Sequence, residues 1–354
     1  MELYINDRFR NRKVFLFNDF NFTLKFDSIA SQFSFRYFFN PENPEHKELA
    51  CIGHYHKAEL RHNDELILTG YIVSENFSDS SKPEMATFGG YSLPGFLEDC
   101  EVPTELYPLQ SDGLSIKEIA QKLISKFTEI KLSIDSSVSS KMNEVLTVST
   151  AGEGQKIKQY LSELTTQKNI IMSHDATGKL LFTMAKTKQT AILNFDEGGT
   201  PFTKMNLKYN GQAMHSHITI IKDADIDGGN AGEYTIENPF VPFVYRPTVI
   251  KQSSGTDIDT ELVAKNALAN ELKGLVLTIE TDRWEIDGKI IKPNSIISVR
   301  NEKIYLYKKT NWFVESITFA GDNTKTTATL TCVLPEVYNG ETPKYLFEGI
   351  NLHG

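Results

Sequence analysis

Alternation of apolar and polar residues with a period of two recurs along this chain and restricts its fold more than any other feature. In "FNFTLKF", residues 20 to 26, Phe20, Phe22, Leu24 and Phe26 alternate with polar side chains, as a strand with one buried face requires. Phe33, Phe35 and Tyr37 repeat the pattern. The runs "HYHKAELRH" and "NDELILTGYIV" follow, with Asn63 and Asp64 supplying a turn between them. Residues 1 to about 95 therefore predict several antiparallel strands, and so many strand edges predict closure as a barrel or sandwich.

The stretch from Gly90 to Ile124 breaks that pattern with Pro94, Pro103 and Pro108, which deny the chain both ladder hydrogen bonds and helix continuation. It reads as a stiff crossing between domains. A helix over about 115–128 follows, opened by a Ser115/Glu118 capping box, with Ile116, Ile119, Ala120, Leu123, Ile124 and Phe127 on one face. A second helix over about 153–168 and two strands turning at Gly178 complete a small α/β unit. From Phe195 strand character returns, interrupted by a helix over about 259–273 that Gly274 is expected to end in a left-handed cap. Five alternating segments then run to Leu334, with turns at Asp287-Gly288 and Gly321-Asp322-Asn323.

The fold expected is α+β, mainly β, with two antiparallel β-barrel domains and smaller α/β modules between and around them. The boundaries read are 1–100 for the first barrel and 101–195 for a peripheral α/β module. A second barrel follows over 196–335, with an insertion at about 222–273, and then a tail over 336–354.

A length of 354 residues exceeds what one core usually organises, and 40% hydrophobic with 23% charged residues describes a globular chain. Cys51, Cys100 and Cys332 are widely spaced and form no CxxC pair, so they read as buried thiols of a protein made in a reducing cytoplasm. No apolar run approaches the roughly 20 residues of a membrane helix, and no membrane insertion is expected. A formal charge of -9 with no basic aromatic stripe disfavours tight nucleic-acid binding.

Candidate chemistry is thin. Asp223, Asp225, Asp227 and Gly228 match the first half of a calcium loop, but the twelfth position is Tyr234 where a bidentate acid belongs. An acidic surface loop is the plainer reading. His54 with His56, and His215 with His217, would each share one face of a strand, yet no further ligand stands at a zinc-like spacing. Alanine at any of the four is expected to leave folding largely intact. Nucleophile motifs and phosphate-binding glycine loops are missing. No catalytic, cofactor or metal site is expected.

Seven stretches in order resemble the baseplate hub proteins of contractile bacteriophage tails, the phage Mu type in particular. These are "LTGYI" (68–72), "GGYSLPGFLEDC" (89–100), "YPLQSDGLSIKEIAQKLISKF" (107–127), "GEGQKIKQYLSELTTQKNIIMSHDATGKLLF" (152–182), "YRPTVI" (245–250), "DGKIIKPNSIISV" (287–299) and "FVESITFAGDNTKTTATLTCVLPEVY" (313–338). The resemblance implies tube-forming barrels, as in the hub part of VgrG spikes, and a non-enzymatic component of the virion tail. Its implied partners are two further copies in a homotrimer, a tail tube protein above, a central spike below, baseplate wedges, and DNA in transit without tight binding. A ring needs contacting edges, and the unbroken apolar run Val14, Phe15, Leu16 and Phe17 is the candidate for one. The alternatives weighed are a tail-associated cell-wall hydrolase, for which no spare domain-sized stretch exists, and a small-ligand-binding β protein.

Overall fold

The computed structural model describes residues 1–7, 11–79, 85–107, 113–146, 150–222, 233–252 and 259–347. The chain is mainly β and divides into two compact units. The first takes residues 1–184, 284–293 and 316–328, and the second takes 185–283, 294–315 and 329–354.

In the first unit the opening strands are β1 (Glu2–Asn6), β2 (Arg12–Phe15), β3 (Asp19–Lys25) and β4 (Gln32–Phe38). A short helix α1 (Pro44–Leu49) follows, its first turn capped by the Asn43 side chain. Then come β5 (Lys57–His62), β6 (Glu65–Ser78) and β7 (Met85–Ser92). They lie in the order β2-β1-β5-β6-β7-β4-β3, all antiparallel, and the later segment Ser316–Asp322 pairs with the far side of β3. Asn63 and Asp64 both adopt positive φ, 46° and 64°, the geometry that a two-residue hairpin between twisted strands demands. The alternation read from the sequence is the burial pattern observed: Phe22, Phe33, Phe35, Tyr37 and Phe88 face inward. At the β6–β7 ladder the Phe33 ring covers bare backbone. A Cβ on Gly90 would lie 1.9 Å from the Tyr71 carbonyl oxygen and 2.6 Å from Phe33 Cζ, so only glycine fits there.

Closure into two barrels is not confirmed. No closed barrel is seen among the described residues: in the first unit the segment Ser316–Asp322 pairs with the edge of β3, and β2 stands at the end of the sheet.

After β7 the chain does not cross through a spacer. Pro94 sits inside a 3-10 turn, Leu93–Gly95, that runs into α2 (Phe96–Asp99), and Pro103 precedes a second such turn, Thr104–Leu106. Pro108 lies outside the described residues. Leu93, Leu97 and Val102 are buried in the same cluster as the α/β module that follows. That module contains α3 (Ile116–Ile124), β8 (Leu132–Ile134), α4 (Ser139–Met142), α5 (Ile157–Thr166), β9 (Ile171–His174) and β10 (Leu180–Thr183). The capping box at α3 is complete: Ser115 Oγ accepts from the Glu118 N–H, and the Glu118 carboxylate accepts from the Ser115 N–H at 2.8 Å. The predicted apolar face of α3 is buried from Ile116 to Ile124, with Phe127 beyond the helix partly buried against the same cluster, and Tyr160, Leu161 and Leu164 of α5 meet it there. Both helices are shorter than the sequence suggests. Gly154, at φ 69°, delays the start of α5 until Lys156 can act as its N-cap.

The second unit holds β11 (Leu193–Phe195), β12 (Lys204–Tyr209), β13 (His217–Lys222), β14 (Glu233–Glu237), β15 (Pro247–Gln252), α6 (Thr260–Leu272) and β16 (Leu275–Thr281). A hairpin of β17 (Glu285–Ile286) and β18 (Lys289–Ile290) returns to the first unit, turning at Asp287 and Gly288. Then follow β19 (Ser295–Asn301), β20 (Leu306–Asp322), β21 (Thr326–Val333) and α7 (Glu336–Asn339). β12 pairs with β16, while residues 306–315 of β20 pair with β19, which pairs in parallel with β11. A separate sheet, β14-β13-β15, carries α6. Asp259 caps α6 as its sequence implies. Gly274 is not left-handed: the helix ends at Lys273 in right-handed geometry, and a Cβ at Gly274 would lie tightly against the Glu271 and Asn210 carbonyl oxygens, at 3.1 and 3.3 Å.

Candidate interaction surfaces

The histidine pairs do not form ligand sets. His54 and His56 lie in the loop before β5, where Tyr55 has a φ of 50°, so they share no strand face. Their rings nonetheless meet edge to face at 5.3 Å. His56 is buried, with Nε2 2.9 Å from the Glu48 carbonyl oxygen, while His54 is exposed. Burial raises the carboxyl pKa of nearby Glu75 above the ordinary range, and the two histidines only partly oppose this. In the second unit His215 Nδ1 lies 2.7 Å from Glu271 Oε1, whereas His217 turns to Ser216 Oγ at 2.8 Å. Among the described residues no three His, Cys, Asp or Glu side chains converge as a metal-binding group. Asp223, Asp225 and Asp227 lie outside the described residues. All three cysteines are free thiols, Cys332 fully buried and the other two partly so.

The run Val14 to Phe17 divides by side. Phe15 is 4% exposed and packs edge to face on Tyr37 at 4.9 Å and Phe88 at 5.1 Å. Phe17 turns onto Phe35, also at 4.9 Å. Val14, 55% exposed on the end strand β2, and Leu16, 82% exposed just past its end, point away from that core, and no described strand pairs the outer edge of β2. The apolar run therefore serves two ends: Phe15 is core, Phe17 is half-buried against Phe35, and Val14 and Leu16 are surface.

A second apolar surface lies in a segment that has no periodic pattern in the sequence. In the second unit a groove of about 650 Å³ runs along β12, walled by the segment Phe240–Val244 on one side and Ile304 and Tyr305 on the other. Tyr209 Oη donates to the Phe240 carbonyl at 2.9 Å, and Asn238 Oδ1 accepts from the Phe240 N–H, so this wall is fixed at its base. Phe240 also packs against Tyr345 and Phe347, each at 5.9 Å. Above that base Phe243 is 87% exposed. Tyr305 ends the turn Glu302–Ile304 at a φ of 65°, an unfavourable conformation for a bulky residue, with its ring 62% exposed. The available signal was "NPFVPFVYRP", residues 238–247, an apolar run between prolines that alternates with nothing and so belongs to no strand or helix.

With this geometry in hand, comparison with known proteins gives a fold. No family model and no curated protein matches the chain. Among solved structures, the 43 kDa tail protein of prophage MuSo2 from Shewanella oneidensis superposes with a TM-score of 0.80 at 18% identity, covering 96% of this chain and 100% of that one. A tail protein from Neisseria meningitidis gives 0.74 at 16% identity, covering 96% and 98%. A component of the E. coli type VI secretion system, described as structurally similar to bacteriophage tail proteins, gives 0.52 at 10%, covering 93% and 76%.

The fold is that of phage tail proteins. More narrowly, it is the fold of the Mu-like prophage tail protein, matched over nearly the whole of both chains.

Proposed function

We propose that this chain is the structural hub of a contractile phage-tail baseplate, or of a related injection machine, and that it is not an enzyme. Three copies would form a ring joining a six-fold tail tube to a three-fold central spike, with baseplate wedges around it, located in the virion tail. The observation that carries this reading is the end-to-end match to a prophage tail protein at a TM-score of 0.80, in a chain whose ordered motifs resemble the same family. Segments 1–100 and 196–335 would supply two similar tube-forming surfaces per chain, six per trimer, and 101–195 the peripheral module. The open sheets suit that role: an edge left unpaired in one chain is available to a neighbour, and a three-fold ring uses two different faces of each chain. Val14 on β2 and Leu16 just after it would line one of them. Three chains of -9 carry a formal charge of 3 × -9 = -27, which suits passage of DNA without adhesion.

Light scattering tests the ring. With tail tube and spike proteins present, the assembly should contain three copies of the 40.0 kDa chain, and Val14→Asp with Leu16→Asp should reduce it toward single chains. A chain that stays single with both partners present would overturn the reading. Clearing of purified peptidoglycan by the chain alone would replace it with a cell-wall hydrolase.

A further inference from the structure

We infer that the groove along β12 receives an extended segment of a partner protein in which acidic and apolar residues alternate, added to the sheet as an extra strand. Three observations converge on this occupant. First, β12 pairs with β16 and with no other described strand, so its second edge offers backbone donors and acceptors to an incoming chain. The groove is lined by both Asn206 and Leu207. Adjacent residues of a strand point to opposite faces, so the groove meets the strand edge-on, where a backbone would add.

Second, the charge around it is mainly positive, although Glu280 stands opposite Lys204 across the β12–β16 ladder. Lys204 and Lys208 are exposed on β12 and Lys303 lines the groove, and none of them has an ion-pair partner among the described residues. The nearest acid in sequence, Glu302, is held by Arg300 at 2.9 Å. Three uncommitted lysines in a chain of net charge -9 form a local inversion that selects an acidic occupant. Lys204 and Lys208, four residues apart, lie on one face of the strand, the spacing an alternating ligand reproduces. Third, the walls are aromatic and already exposed. Tyr305 holds a left-handed backbone conformation that glycine would adopt without strain, which places its ring beside the groove.

The test uses the full chain and two fluorescent synthetic peptides, one alternating Glu with Val and Phe, the other identical but with Lys for Glu, read by anisotropy. The Glu peptide should bind saturably and lose affinity with added salt, and the Lys peptide should not bind. Reversing both charges, Lys204→Glu with Lys208→Glu, should weaken the Glu peptide about tenfold. Tyr305→Gly should also weaken it while leaving the melting temperature at or above that of the wild type, which separates the groove's role from folding. Glu-peptide binding that is no tighter than Lys-peptide binding, or that ignores the charge reversal, would overturn the inference. So would a peptide-free self-association that the reversal dissolves, because the occupant would then be a second copy of this chain.

Discussion

Glu271, in the last turn of α6, accepts a hydrogen bond from the His215 backbone N–H at 2.8 Å while its other carboxylate oxygen lies 2.7 Å from the same residue's Nδ1. Asn238 reaches it as well, at 3.3 Å. This carboxylate joins α6 to the approach of β13. Glu271→Ala should therefore cost about 1–3 kcal/mol, because it leaves a part-buried N–H without an acceptor. His54→Ala and His217→Ala, at exposed or half-exposed rings, should stay within about 0.5 kcal/mol. Urea titration of the variants measures both. The histidines differ in setting: His56 is buried on the Glu48 carbonyl and His215 is held by Glu271, whereas His217 bonds only the neighbouring Ser216 hydroxyl and His54 is exposed.

Phe319 stacks on Phe22 at 4.8 Å and meets Trp284 at 6.1 Å, with no exposed surface. Phe319→Ala should destabilise the first unit by about 3–5 kcal/mol through lost contacts and the cavity left behind. Phe243→Ala removes a ring of equal size from the surface and should change stability by less than about 0.5 kcal/mol. Thermal unfolding of the two variants side by side is the check.

Burial raises the Cys332 thiol pKa far above its ordinary value, reinforced by the Glu315 carboxylate. In the folded protein Cys332 should resist a thiol-specific reagent while Cys51 and Cys100, both partly exposed, react. All three should react in denaturant. Mass spectrometry of the labelled chain identifies which thiol was modified, and rapid native labelling of Cys332 would contradict the packing of β21.

His174, at the end of β9, has its ring pKa lowered by desolvation, with only partial compensation from Asp175. An unfolded histidine takes up its proton near about pH 6.5, before the folded one does. The contribution of this ring is therefore present above that pH and is lost as pH falls toward the lowered folded value. His174→Gln should lose less stability than the wild type between about pH 7.5 and 5.5, measured as the difference in melting temperature.

Much of the β architecture was legible because burial on one face writes itself into the sequence with a period of two: Phe20, Phe22 and Leu24 of β3 alternate on paper as they do in the sheet. The α3 cap was legible because Ser115 and Glu118 act within one turn. What escaped depends on distant partners. Closure as a barrel could not be judged without knowing that Ser316–Asp322 takes the edge of β3. Which of Val14, Phe15, Leu16 and Phe17 faces outward follows from their neighbours Tyr37, Phe88 and Phe35, not from their own apolarity. The groove escaped because the segment 238–247 has no periodicity to read, and because Tyr305 is placed by a backbone conformation that its residue type does not announce.

The ladder between β3 and Ser316–Asp322 also sets a clock for biosynthesis. Thr23 and Thr318, which share a hydrogen bond of 2.8 Å across it, are 295 residues apart. A ribosome adding roughly 5–20 residues per second needs about 15–60 s to deliver the second strand after the first has emerged. Throughout that interval one side of β3 waits unpaired beside nascent chains of the same sequence, so the crowding of ribosomes on one message, more than the stability of the finished protein, will govern how much of the product aggregates.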